Sequence, residues 1–331
     1  MTFYYKNVYL NETALITGPY EKKGPLVHYF DKSYDDFYFN TKTWEQAEQK
    51  IVEEAVDLLL LKSKKTKYDI DLHFGSDLSN QLASNNYAAS NIKIPYIGIY
   101  SACASSVGEL ILASNMIESG QIKSCICTSS CHNNGAEKQF RYPVEYGGPK
   151  RKTTTFTVTG SAAALLSNQK SNIKIESSTI GTVQDLGVKD VYHMGAVMAP
   201  AAADTLYKHL KDTKRDISYY DYILTGDLGM YGKEILKDYM KIEYGIELKN
   251  YDDAACMIYA DTKEAYAGGS GVACLPLVGY GYILSKMRMK DYKKVLFIAT
   301  GALMNTSMTN QKLSIPSIAH LISLEVISWF T

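Results

Sequence analysis

The chain reads as an α/β protein whose fold is built twice, with sheets covered by helices on both faces. Three observations predict this. Short apolar strand-like runs alternate with helical patterns along the whole length, the signature of crossover connections between neighbouring strands. The rhythm is similar on either side of a polar turn, Asn168-Gln-Lys-Ser171. At 331 residues the chain has room for two ordinary domains or one large duplicated one. The expected halves are residues 1–170 and 171–331, a duplication of fold for which the sequence offers no visible repeat.

The elements follow in order. Asn7–Ile16 reads as the first strand. Trp44–Lys62 places apolar residues at helical spacing with Glu and Lys between them. Ile70–Phe74 and Ile94–Tyr100 are strands, and Ala104–Ser119 is a helix rich in small residues. Ser124–Thr128 and Thr154–Thr159 complete the strands of the first half. In the second half Ile173–Gly181, Tyr222–Thr225, Val295–Thr300 and Ile318–Val326 are strands. Ala199–Lys211, Lys233–Tyr244 and the apolar Val272–Met289 are helices.

Composition narrows the function. Lys and Arg number 35, as do Asp and Glu, and no basic block stands out, so a nucleic-acid partner is not expected. The six cysteines show no paired metal spacing. Nothing at Met1-Thr-Phe-Tyr-Tyr-Lys6 has signal-peptide character, so the chain reads as reduced and cytoplasmic. The longest apolar stretch, near Val272–Leu284, carries Pro276 and falls short of the roughly 20 residues a membrane-spanning helix needs.

The most informative segment is Ile97-Gly-Ile-Tyr-Ser-Ala-Cys-Ala-Ser-Ser-Val-Gly-Glu-Leu110. An apolar run stops, Cys103 follows, and a small-residue helix begins at once. A helix start favours a thiolate or a nearby anion, and Ala102, Ala104, Ser105 and Ser106 leave room for a ligand. Open α/β sheets bind ligands at the carboxyl ends of their strands. Ser129, Ser130, His132 and Asn133 follow such an end and are expected to gather with Cys103. A polar capping loop is the plainer alternative. Arg141 has two roles open to it: a clamp on a carboxylate, or a scaffold ion pair with Glu137 or Glu145. Asp227 follows a second-half strand as a candidate ligand group or a helix cap. Gly269 and Ser270 sit in Ala267-Gly-Gly-Ser-Gly271, which offers bare N–H groups.

Together these residues resemble the stage V sporulation protein AD family of spore-forming bacteria. The resemblance runs to about Glu325. It rests on Glu21–Leu26, Thr43–Glu48, Tyr100–Ser106, Gln139–Pro143, Thr157–Gly160, Met194–Ala202, Thr225–Gly229, Gly268–Gly271, Ala299–Met304 and Ile315–His320. It implies a thiolase-like fold: two five-stranded mixed sheets and helices in an αβαβα layering. It also implies a protein that binds dipicolinic acid (pyridine-2,6-dicarboxylate) and assists its movement, with calcium, into the developing spore. The expected place is peripheral, at the inner spore membrane, beside integral stage V sporulation proteins. The tail Ile327-Ser-Trp-Phe-Thr331 has no counterpart in the resemblance, and Trp329 and Phe330 are its candidates for touching a surface.

Thiolase-like enzymes activate their cysteine with two further groups from second-half loops, such as two histidines, or a histidine with an asparagine or a cysteine. The corresponding loops here, Thr225–Gly229, Ala267–Gly271 and Thr300–Met304, contain no histidine. Asn305 lies just beyond the last, and His193 and His320 lie elsewhere in that half. The expectation is a binding protein in which Cys103 is a vestigial nucleophile position, with neither a cofactor nor a protein-bound metal. The alternative is an acyltransferase or condensing enzyme that uses Cys103, with His132 in a rearranged Cys–His pair. Thiolase-like proteins pair through the strand before the cysteine helix, so a homodimer through Ile94–Ser101 is expected.

Overall fold

The computed structural model describes residues 1–259 and 265–327. The tail aromatics Trp329 and Phe330 lie outside the described residues. In chain order the first half comprises β1 (Thr2–Tyr4), β2 (Tyr9–Thr17), α1 (Pro19–Lys22), β3 (Lys32–Ser33), α2 (Trp44–Ser63), β4 (Leu72–Ser76), α3 (Ala83–Ile92), β5 (Tyr96–Gly98), α4 (Ser105–Glu118), β6 (Ser124–Cys131), α5 (Asn133–Phe140), β7 (Phe156–Thr157) and β8 (Gly160–Ser167). The second half comprises β9 (Ile173–Ile180), α6 (Met194–Thr213), β10 (Tyr222–Thr225), α7 (Gly229–Tyr244), β11 (Tyr251–Asp253), α8 (Ala254–Ile258), β12 (Gly269–Ser270), α9 (Cys274–Val278), α10 (Leu284–Arg288), β13 (Lys294–Ala302), α11 (Thr306–Asn310) and β14 (Ser317–Val326).

Two five-stranded mixed arrays form, in the orders β2-β8-β6-β4-β5 and β9-β14-β13-β10-β11. In each, the first three strands are antiparallel and the outer two run parallel to the third. The arrays meet through a two-residue ladder, Tyr9 with Lys174 and Leu10 with Ile173. β1 and β3 extend this path to twelve strands. Helix α2 lays Ala47, Ile51, Ala55 and Leu59 on Ala14, Ile16, Ile126 and Leu165 of the first array. Helix α6 does the same with Met198, Ala202 and Leu206 on Ile223, Ile298 and Leu321 of the second. Between the arrays lies α4, whose Val107, Leu110 and Ile111 pack among Cys127, Ala164, Ile175, Phe297 and Ile322. These are the five layers of a thiolase-like fold.

The duplication has a register that the sequence reading missed. Helices α2 and α6 both span 20 residues, starting at Trp44 and Met194. Each ends on a left-handed lysine, Lys64 and Lys214. Asp71 Oδ2 accepts the backbone N–H groups of Lys123 and Ser124; Asp221 Oδ2 accepts those of Lys293 and Lys294. Asp77-Leu78 and Asp227-Leu228 stand at equivalent places after β4 and β10. A few capping and turn residues thus repeat, and the rest has diverged.

Other expectations need adjustment. β8 and α3 were not anticipated. Thr154–Thr159 contributes only the two-residue β7, which pairs with β12 of the other half. The apolar Val272–Met289 stretch is helical from Cys274 to Arg288, as expected, and passes through a π-helical turn at Gly279–Ile283, where Gly279 packs on the Phe297 ring and Gly281 on Tyr29. Among the described residues no helix is long and apolar enough to cross a membrane.

Candidate functional site

After β5 the chain turns through Ser101 and Ala102, and Cys103 lies two residues before the start of α4, with Ala104 between them. Ala102 takes a left-handed conformation, φ +49°, which costs a non-glycine residue energy and is held by its surroundings. Ser105 Oγ accepts from Ser101 N–H at 2.6 Å and donates to the Ala102 carbonyl at 2.7 Å. Gly301 of β13 lies against this turn so closely that a Cβ there would sit 2.5 Å from the Ser101 carbonyl oxygen. The cysteine turn is therefore shaped jointly by both halves.

Cys103 lines a narrow recess. Its walls are largely apolar: Leu78 and Tyr100 from the first array, Ala136 and Phe140 from α5, Met194 and Met198 from α6, Ala302 at the end of β13 and Met304 just beyond it. Five polar side chains interrupt them: Cys103, Arg141, Thr157, Asp227 and Ser270. A wider polar vestibule adjoins it, sharing Tyr100, Phe140 and Met304 and adding Asn80, Gln81, Gln139, Asn305 and Thr306.

Asp227 is wholly buried. Its carboxylate accepts from Thr300 Oγ1 at 2.7 Å, Gly271 N–H at 3.1 Å and Ser270 Oγ at 3.3 Å. The Cys103 thiol lies beside it. Burial pushes the Cys103 thiol well above its ordinary range, and the charge of Asp227 adds to that shift. Burial raises the Asp227 carboxyl too, against the pull of its hydrogen-bond donors. Gly271 reaches its place with φ +106°, a conformation natural to glycine. The capping role open to Asp227 belongs instead to Asp253, which accepts from the N–H groups of Leu228, Gly229 and Ala255.

Arg141 lines the recess and pairs with Glu137 at 3.1 Å, both side chains almost fully buried. Its Nε has no protein partner. Glu137, not Glu145, is thus the scaffold partner, and Arg141 faces the recess as well.

The Ser129–Asn133 segment does not converge on Cys103. β6 continues to Cys131, so these side chains alternate between the two helix layers. Ser129 donates to Glu109 of α4 at 2.5 Å, and Ser130 donates to Glu48 of α2 at 2.8 Å. His132 bonds the Phe37 carbonyl through Nε2 at 2.8 Å and stacks on Trp44. Burial holds its pKa down to about 4. It borders a separate cleft with Glu45, Glu48 and Gln139. Asn133 bonds the Thr157 carbonyl, and its own N–H donates to Thr159. Gly269 packs against Ile258 and Cys274 outside the recess.

Among the described residues no histidine lines the recess. His193 precedes α6 and meets Tyr231 edge-on. His320 lies in β14 with its ring against Gly108. Asn305 spends its side-chain oxygen capping α11. Among the described residues no three His, Cys, Asp or Glu side chains are grouped to hold a metal ion. The sequence reading did not single out Tyr100, Phe140, Thr157, Met194, Met198 or Met304. All lie within or beside its motifs, but nothing in the sequence told wall from core.

Comparison with known proteins agrees with this architecture. Residues 1–325 match the family described as Stage V sporulation protein AD. Stage V sporulation protein AD of Bacillus subtilis (strain 168) is 44% identical over 319 residues, which is 96% of this chain and 94% of that protein. Among solved structures, cerulenin-bound OleA of Xanthomonas campestris superposes with a TM-score of 0.61 at 12% identity, covering 97% of this chain and 98% of that one. The 3-oxoacyl-[acyl-carrier-protein] synthase III of Aquifex aeolicus VF5 gives 0.55 at 12% identity, covering 96% and 97%. At such identity these two share the fold alone.

Proposed function

The chain belongs to the stage V sporulation protein AD family, and from that premise we propose that it binds dipicolinic acid in the Cys103 recess without catalysing a reaction. In this reading it supports uptake of that acid, with calcium as accompanying cargo, into the developing spore. It works at the inner spore membrane as a peripheral protein, docked to integral stage V sporulation proteins, and as a homodimer.

The observation that carries the non-catalytic reading is the Asp227 carboxylate beside Cys103. A cysteine nucleophile reacts as its thiolate, and an adjacent base or cation lowers its pKa. Here burial pushes the thiol up and the negative charge of the neighbouring Asp227 carboxylate adds to that shift, the reverse of what a neighbouring cation does. Among the described residues the vestibule lining includes no Lys or Arg side chain to pair with the phosphates of an acyl carrier. The ligand reading draws on the shape and chemistry of the walls. Phe140, Tyr100 and three methionines suit a flat ring. Arg141, Ser270 and Thr157 supply donors for carboxylates.

A calorimetric titration with dipicolinate, run beside an acyl-CoA labelling assay, tests this. The expected result is saturable binding with no acylation of Cys103. Stoichiometric acylation of Cys103, or turnover lost in Cys103→Ser, would establish the condensing-enzyme alternative. No binding and no acylation would leave a scaffold.

A further inference from the structure

We propose that Asp227 takes up one proton from solvent when a carboxylate ligand enters the Cys103 recess, so that ligand and proton bind together. This rests on reading the recess as an anion site and adds the charge state in which that site accepts its ligand.

The argument is a charge inventory. Arg141 and Asp227 are the charged side chains lining the recess. Arg141 is already compensated by Glu137 at 3.1 Å, so the site holds an excess negative charge before any ligand arrives. The donors to Asp227 are all neutral: Thr300 from β13, Ser270 of β12 and Gly271 just after it, and the Cys103 thiol beside it is neutral too. The other titratable groups near it are Cys131 of β6, Cys274 of α9 and Asp253 before α8. None supplies positive charge, and Asp253 adds to the negative. Among the described residues Asp227 makes no ion pair.

Ser270 donates to Asp227 and also lines the recess. A ligand carboxylate that reaches Ser270 or Cys103 therefore comes up against the Asp227 carboxylate. Two carboxylates in one desolvated site do not both stay ionised; they hold a proton between them. The thiol is no source for it, because its own pKa is raised, so the proton comes from solvent. No covalent bond is made or broken apart from that to the proton. Burial raises the Asp227 carboxyl above its ordinary range even without a ligand, which makes the proton easier to gain. Because the complex binds one more proton than the free partners, affinity falls as pH rises above the pKa of the free carboxyl.

The test is calorimetry of dipicolinate with the full chain, in phosphate and in Tris at one pH, repeated from about pH 6 to about pH 8. The expected result is uptake of about one proton per ligand, and affinity that falls up to about tenfold per pH unit. Asp227→Asn should remove the buffer dependence, flatten the profile and bind more tightly than the parent at the alkaline end. Thr300→Val keeps the carboxyl but removes a donor to its charged form, so it should move the profile to higher pH. It tests the idea even where Asp227→Asn folds poorly. Binding without proton uptake would sink this inference and leave the dipicolinate reading standing. Absence of binding would sink both. Proton uptake unchanged in Asp227→Asn would assign the proton elsewhere and overturn the role of Asp227.

Discussion

Arg141 is the residue whose two roles the structure allows to be separated. Its guanidinium pairs with Glu137 one helical turn back and also borders the recess. Arg141→Ala would strand a buried Glu137 charge, which typically costs about 3–5 kcal/mol. A lowered melting temperature would then blur any loss of binding. Glu137→Gln in the same chain removes the stranded charge, so the double variant should recover most of the stability. If Arg141 also grips a ligand carboxylate, dipicolinate binding to the double variant should stay weaker by about 1.5–3 kcal/mol. Parent-like affinity in the double variant would make Arg141 scaffold alone. Some of this was legible in the sequence, because Cys103, Arg141, Asp227 and Ser270 all meet at the recess. Ser129, Ser130, His132 and Asn133 were misplaced for one reason: β6 runs three residues further than its apolar run suggests. A longer strand sends alternate side chains to opposite faces, so serines read as a loop became partners of Glu109 and Glu48.

At the scale of elements, the legible parts were those with strong local patterning, such as α2, β10 and the strand leading to Cys103. β8 escaped because Gly-Ser-Ala-Ala-Ala-Leu-Leu-Ser has weak strand propensity. It is a strand because it lies between β2 and β6, covered by α2 on one face and α4 on the other, where small residues fit. The short α1 carries a different signal. Its Glu21 is buried and ties the two halves together: Oε1 accepts from Tyr259 Oη at 2.5 Å and from Thr159 N–H at 3.0 Å. Oε2 has no partner. Burial raises this carboxyl to about 7. The folded state thus holds the proton more tightly than the unfolded chain, whose glutamate titrates near 4.5. The stabilisation is complete below the unfolded value and is lost as pH rises from there through about 7, by on the order of 3 kcal/mol. Glu21→Gln keeps the accepting oxygen and cannot ionise. Urea midpoints across this range should fall less steeply for the variant than for the parent, because Glu48 and Asp253, raised to about 8 and about 6 by burial, still titrate in both. Parallel curves would show that Glu21 is not the group responsible.

For the whole molecule, the duplicated sheet leaves one edge in need of an explanation. β5 ends the first array, its far side unpaired among the described residues, and it is only three residues long. Ile97 on it and Tyr100 just beyond are each 48% exposed, and Tyr87 of α3 is exposed beside them. A bare strand edge flanked by apolar side chains invites pairing. Two copies joined by antiparallel β5 strands would satisfy both edges with one two-fold axis and close the assembly. The equivalent edge strand of the second half, β11, differs: Tyr251 and Asp253 are buried, and Asp252 is paired with Lys233 at 2.6 Å. That asymmetry is why the contact is placed at β5. Sedimentation at micromolar concentration should give twice the 36.9 kDa chain mass. Ile97→Lys, which sets like charges across the axis, should give monomers. Tyr100 belongs to this edge and to the walls of both the recess and the vestibule. The monomeric variant should therefore also bind dipicolinate less tightly than the parent dimer. A monomeric parent would remove the dimer altogether. A monomeric Ile97→Lys with parent-like affinity would show that the recess is complete within one chain and that pairing serves only to cover the edge.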